Sequence, residues 1–165
     1  MILKTTLRLA AGAALAAGLV ASFPAGAYRQ AIPNDMGRCA AGSGPAVKVT
    51  VTGIKTSRGT MRVQTYRGTS SEWLAKGKWL HRVEAPARRG TMTFCLPVPE
   101  AGTYAVAVRH DVNGNGSTDL REDGGGMSNN PSINIFNLGR PSYKKTAFSV
   151  GGEVKPITIT MRYWG

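Results

Sequence analysis

VKVTVTG, residues 47–53, places Val47, Val49 and Val51 in alternation with Lys48, Thr50 and Thr52, and Gly53 closes the run. Successive side chains of an extended chain point to opposite faces, so this period of two predicts a half-buried strand. The period returns in Met61, Val63 and Thr65 after the turn at Ser57-Arg58-Gly59, which suggests a hairpin. It returns again near the C-terminus, where Ile157, Ile159, Met161 and Tyr163 face one way and Thr158, Thr160 and Arg162 the other. Further strands are expected near residues 79–85, 91–98, 104–110 and 144–150. Ser70 or Ser71 is a candidate cap for one short helix through Glu72, Trp73, Leu74 and Ala75, stopped by Gly77. About seven strands separated by frequent turns argue for an all-β, antiparallel β-sandwich, transthyretin-like or immunoglobulin-like, with one short helix and a long loop.

The first 27 residues read as a secretory signal peptide: Lys4 and Arg8, an apolar stretch from Leu9 to Val20, then Ala25-Gly26-Ala27 as a cleavage site. That stretch is shorter than the ~20 residues that span a bilayer, and no later segment is apolar enough. The expected product is secreted, in the periplasm, with no transmembrane segment. It comprises an Ala-, Gly- and Pro-rich extended lead-in at residues 28–45 and one β-sandwich domain at residues 46–165. Cys39 and Cys95 both fall in the exported part, where an even count reads as a disulfide. The alternatives are two unpaired thiols, or Cys95 as a buried strand residue. Neither cysteine lies in a CxxC, which argues against redox catalysis.

Although the chain carries formal charge +12, four of its nine carboxylates fall between Asp111 and Asp123. DVNGNGSTDLRE, Asp111 to Glu122, fits the calcium-loop pattern D-x-[DN]-x-[DN]-G-x5-E at every specified position. A hard divalent cation takes six to eight oxygens at ~2.3 to 2.6 Å, which one tightly wound loop can supply. Asp111, Asn113 and Asn115 would offer side-chain oxygens, Ser117 its carbonyl, Asp119 a carboxylate or a bridging water, and Glu122 a bidentate carboxylate. Asp123, beside Glu122, is an alternative closing ligand. With so few anionic ligands the expected calcium affinity is weak, on the order of 10⁻⁴ M. A bare Asn-Gly-Asn-Gly turn is the competing reading; it explains Asn113 to Gly116 and leaves Asp111, Asp119 and Glu122 unexplained. The flanks, β-rich YAVAVRH before and Gly124-Gly125-Gly126 after, argue against a helix-loop-helix sensor and point to a structural calcium clip or docking element.

The twenty residues GGGMSNNPSINIFNLGRPSY, from Gly124 to Tyr143, show no period. Ser128, Asn129 and Asn130 are candidates to fold back on the acidic loop or line a cleft, and Ile133, Ile135 and Phe136 suggest partial packing; simple covering of a sheet edge is the alternative. Leu96-Pro97-Val98-Pro99 followed by Ala101-Gly102-Thr103-Tyr104-Ala105-Val106 resembles the LP-x-x-G-x-Y-x-V element of transthyretin-like, or prealbumin-like, domains on secreted bacterial proteins. Joined to the DxNxNGxxD loop and to GMSNNP, it resembles an uncharacterised family of exported bacterial proteins. That resemblance covers most of residues 46–163 and implies a β-sandwich and export, with no activity attached.

Removing Lys4 and Arg8 with the leader lowers the formal charge from +12 to +10, spread over many single basic residues. For an exported chain the matching partners are anionic envelope components, glycans or lipid head groups, or an unknown protein, while nucleic acid is excluded by compartment. Arg62 and Arg162 occupy outward strand positions and make a basic sheet face conceivable. His81 and His110 are the only histidines, and neither HExxH nor GxSxG accompanies them. His81 reads as structural and His110 as a strand-end surface residue. The sequence therefore points to a calcium-binding interaction module without catalytic residues; a cationic envelope protein is the alternative, and a hydrolase using the calcium site a remoter one.

Overall fold

The structure, a computed structural model, describes residues 28–133 and 139–164. The expected leader, and Ile135 and Phe136, lie outside the described residues. The strands are β1 (Gln30–Ala31), β2 (Ala46–Ile54), β3 (Thr60–Arg67), β4 (His81–Pro86), β5 (Gly90–Pro97), β6 (Gly102–Asp111), β7 (Gly124–Met127), β8 (Phe148–Val150), β9 (Val154–Thr160) and β10 (Arg162–Tyr163). They form two sheets. The larger runs β1-β4-β3-β6-β7-β10, with β8 also paired to β6; the smaller runs β5-β2-β9. The chain is an all-β, sandwich-like domain, as the alternating pattern predicts. Two pairings, β1 with β4 and β2 with β9, are parallel and make both sheets mixed. β9 reaches β2 over a long connection, so no tight hairpin imposes antiparallel pairing on it.

Period-two burial decides the layering. Val47, Val49 and Val51 of β2 are fully buried, and they share one core with Met61 and Val63 of β3, Val83 of β4, Phe94 and Leu96 of β5, Val106 and Val108 of β6, and Ile159 of β9. β2 and β3 do not form the expected hairpin. β2 pairs β5 and β9, whereas β3 pairs β4 and β6, so the turn at Gly59 carries the chain from one sheet to the other. Their apolar faces meet across the core rather than edge to edge. A second, smaller cluster of Tyr66, Trp73, Ala105, Met127 and Ile133 covers part of the outer face of the larger sheet.

Three further elements differ from expectation. Residues 70–74 form turns, not a helix: Leu74 takes φ +53°, and Trp73 is fixed by tertiary contacts, its Nε1 donating to Pro141 O at 2.8 Å and its ring lying edge-on to Tyr66. The described helix is instead α1 (Tyr143–Thr146), capped by Ser142, where the start of a strand is predicted. Gly124 to Gly126 form β7 despite low intrinsic strand propensity. A Cβ on Gly124 would stand 2.4 Å from the Tyr163 ring, and one on Gly126 2.6 Å from Ile159 Cγ2, so only glycine lets β9 and β10 approach this closely.

The lead-in is strapped to the body. It supplies β1, then a 3-10 turn (Met36–Cys39) whose Cys39 forms a disulfide with Cys95 of β5 across a sequence separation of 56. Asn34 bonds β5 like a short extra strand, donating to Thr93 O at 2.9 Å and accepting from Cys95 N at 3.0 Å. No helix among the described residues is long and apolar enough to cross a membrane.

Candidate functional site

β6 ends in Asp111 and β7 begins at Gly124, so the acidic loop joins two neighbouring strands of the larger sheet. Its local geometry follows from Asn and Gly chemistry. Asn113 Oδ1 accepts from Asn115 N at 3.1 Å and Asn115 Oδ1 from Ser117 N at 2.8 Å, two successive side-chain-to-backbone turns. Gly116, at φ +79°, turns its N–H back onto Asp111 Oδ2 at 2.9 Å. This winding gathers four of the six predicted ligands. The Asn113 amide stands 3.2 Å from Glu122 Oε2, and the Asn113 and Asn115 amides each stand 3.5 Å from Asp119 Oδ2. Ser117 takes part through its backbone N–H. Among the described residues no three His, Cys, Asp or Glu side chains cluster as a metal-holding group; the gathered set is two carboxylates and two carboxamides.

Asp111 is 5% exposed and faces an internal cation. Arg109, two residues earlier on the same face of β6, donates to Asp111 Oδ2 at 3.2 Å, Gly116 O at 3.0 Å and Thr118 Oγ1 at 3.1 Å. Asp111 Oδ1 is buried without a hydrogen-bond partner, as is Arg109 Nε. Burial, and next the neighbouring Arg62 guanidinium, pull the Arg109 pKa below its ordinary value.

Asp123 does not compete with Glu122 for the gathered position. It is 1% exposed, and its oxygens accept from Val112 N at 3.0 Å and Asp119 N at 2.8 Å, which staples the two ends of the loop together. Its place directly before the glycine triplet was a usable sequence signal, because a carboxylate entering a tight strand needs donors to be buried.

Beside the loop, the outer face of the larger sheet carries a cavity of about 390 Å³. Arg62, Arg109 and Arg140 contribute to its walls, together with Met127, Ile133 and Trp164. Arg62 stands directly opposite Arg109, Arg109 opposite Gly125, and Gly125 opposite Arg162, so the basic face anticipated from the sequence is a cross-strand row.

Ser128, Asn129 and Asn130 neither fold onto the acidic loop nor line this cavity. Ser128 Oγ donates to Thr146 O at 2.6 Å and accepts from Val106 N at 3.0 Å; Asn129 donates to Ala147 O at 2.9 Å; and Asn130 pairs with β9 through Thr158 O and Thr160 N. Asn129 and Asn130 can do so because both adopt positive φ, which asparagine tolerates better than most residues. His110 is fully buried rather than a surface residue: its Nε2 donates to Arg58 O at 2.7 Å, leaving Nδ1 to accept from the Tyr163 hydroxyl at 2.7 Å. The sheet register buries it, because odd and even positions of β6 alternate faces and 110 follows Val106 and Val108 inward. His81 is structural, with Nδ1 donating to Pro97 O at 2.8 Å and linking β4 to β5.

Two sheets around one core, with a wound Asn- and Gly-rich acidic loop at the end of a central strand, define a sandwich-like all-β domain. The chain belongs to a family described as uncharacterised proteins conserved in bacteria, DUF2141, whose model matches residues 49–158. The match begins in β2 and ends in β9, so it includes the whole acidic loop and the strands of both sheets except β1, β10 and the ends of β2 and β9. No curated protein and no solved structure matches the chain.

Proposed function

We propose that this protein is an exported, periplasmic β-sandwich module that binds one calcium ion in the Asp111–Glu122 loop and works by binding a partner rather than by catalysis. The observation that carries the reading is the convergence of Asn113, Asn115, Asp119 and Glu122 in the loop that Asp111 opens; Asp111 holds Gly116 N through Oδ2, and its buried Oδ1 lacks a partner. Oxygen donors of this kind suit calcium, and a carboxylate oxygen buried without a donor is stabilised by a cation. Bound calcium would stiffen the segment between β6 and β7. The disulfide supports export, since such bridges persist in oxidising compartments. The kinship with prealbumin-like domains belongs to the same reading; supporting it, the Tyr104 hydroxyl of the LP-x-x-G-x-Y-x-V element donates back to Glu100 O at 2.8 Å, across the turn into β6.

Calorimetry of the oxidised protein tests the site. Calcium should give saturable heat with an affinity on the order of 10⁻⁴ M, magnesium markedly less, and an Asp119→Ala/Glu122→Gln variant none. Absence of heat with the wild-type protein at several times that concentration reduces the loop to a turn. The arginine row supports a second reading, a cationic envelope protein that holds anionic glycan or lipid. It is distinguished by binding that persists in chelator and weakens steeply with salt.

A further inference from the structure

The cavity on the outer face of the larger sheet has the size and the chemistry of a ligand site. Its volume of about 390 Å³ lies within the ~300 to 1,000 Å³ range of small-molecule pockets. Met127 and Ile133 supply apolar wall, and two of the few exposed large apolar side chains, Leu120 at 56% and Trp164 at 40%, stand at the same cavity. Against this apolar surface the fold sets cations of like sign. Arg62 and Arg109 are direct cross-strand neighbours, an arrangement that destabilises a sheet unless an anion intervenes. Glu84 bonds Arg62, and Arg109 donates to Asp111, Gly116 O and Thr118 Oγ1, but Arg109 Nε is buried with no acceptor, and Arg140, which also lines the cavity, has among the described residues a hydrogen bond to the Leu74 carbonyl. The two carboxylates at the cavity are committed to the loop. Asp123 accepts from backbone N–H groups, and Asp119 Oδ2 faces the Asn113 and Asn115 amides.

We propose that this cavity binds a small anionic amphiphile, one carboxylate or phosphate on an apolar body, with the acid group held by Arg62, Arg109 and Arg140 and the body lying against Met127, Ile133 and Trp164. Guanidinium forks match carboxylate and phosphate geometry, and their hydrogen bonds are strongest where water is excluded. The site does not require calcium, so its test is run in chelator and its failure is distinct from failure of the calcium reading.

The full chain, purified with its disulfide intact, is titrated with decanoate and decyl phosphate below their micelle concentrations, with decanol as the neutral counterpart. Calorimetry is read alongside tryptophan fluorescence. Both anions should bind saturably at one site, at least about tenfold tighter than decanol, and perturb an emission component that Trp164→Phe removes. Arg140→Gln, and separately Arg62→Gln, should each weaken decanoate by about tenfold with the urea midpoint of Arg140→Gln unchanged. Asp119→Ala should still bind. The proposal is overturned if decanol binds as well as decanoate, or if Arg140→Gln folds normally and binds decanoate within twofold of wild type. It is equally overturned if phosphatidylglycerol vesicles bind while phosphatidylcholine vesicles and both monomeric anions do not, since the whole basic face rather than the cavity would then be the site.

Discussion

Asp123→Ala removes the one carboxylate that holds both ends of the acidic loop. The wild-type side chain is 1% exposed and accepts hydrogen bonds from Val112 N at 3.0 Å and Asp119 N at 2.8 Å. A hydrogen bond to a charged partner contributes roughly 1.5 to 3 kcal/mol, so losing both costs about 3 to 6 kcal/mol before relaxation. Water entering the truncated site recovers part of this, and about 3 kcal/mol is the expected net loss in urea unfolding, with the m-value unchanged. For a domain of this size, whose total stability is on the order of 5 to 15 kcal/mol, that is a large fraction. Glu122→Gln is the matched control: Glu122 is exposed, and its side chain accepts from Asn113 at the surface, so its stability should stay within about 0.5 kcal/mol of wild type. The division of labour is then legible in one pair of variants, with Asp123 acting on folding and Glu122 on calcium heat. A loss below about 1 kcal/mol for Asp123→Ala would refute the staple, because two buried amides would have found other acceptors at no cost.

Three further outcomes follow from other parts of the fold. Gly126→Ala should lose about 1 to 3 kcal/mol in urea unfolding, because the new Cβ would lie 2.6 Å from Ile159 Cγ2 and 3.1 Å from Thr160 O. Replacing both Cys39 and Cys95 by Ala should cost roughly 4 kcal/mol on the chain-entropy account of a bridge spanning 56 residues, measured against the oxidised protein. Burial lowers the His81 pKa below 6.5, so in the native state this ring resists a proton that the unfolded chain accepts. Its contribution to stability is therefore complete above pH 6.5 and is lost as pH falls through the lower native value; the pH dependence of thermal unfolding should flatten in that window in His81→Gln.

Much of the sandwich is legible in residues 47–52, 61–65 and 157–163 because burial there follows the strict alternation of apolar and polar residues. What alternation does not encode is partnership. β2 and β3 carry the same pattern and are adjacent in sequence, yet they lie in different sheets, since a pattern of one buried face is satisfied equally by a core neighbour and by an edge neighbour. Gly124 to Gly126 read as a break because propensity concerns the residue alone, whereas the reason for glycine is the proximity of Tyr163 and Ile159, more than thirty positions away. In the acidic loop, the spacing named six ligands, of which Asn113, Asn115, Asp119 and Glu122 stand together, while Asp111 is turned to Arg109 and Gly116 and Ser117 is engaged through its N–H. Ligand spacing could not reveal Arg109, whose role depends on the register of β6, and the inward turn of Asp123 is signalled by its place before the glycine triplet rather than by that spacing.

Arg109 links the loop to the sheet face, and its contacts explain how an acidic loop persists in a strongly basic chain. Asp111 is too buried to be left charged without a partner, and Arg109 provides one while holding Gly116 O and Thr118 Oγ1 in the same grip. Burial first, and next Arg62 directly across the strand pair, lower the pKa of the same guanidinium. On the calcium reading proposed above, a divalent cation reaching Asp111 must either use the partnerless Oδ1 or displace Arg109 from Oδ2. The first course leaves the cavity as it stands. The second turns a guanidinium away from the loop toward the cavity that Arg62 and Arg140 also line, so calcium and an organic anion would favour one another. Only on the second course do the two sites share one arginine, and reciprocity then requires that each alter the other's affinity by the same factor.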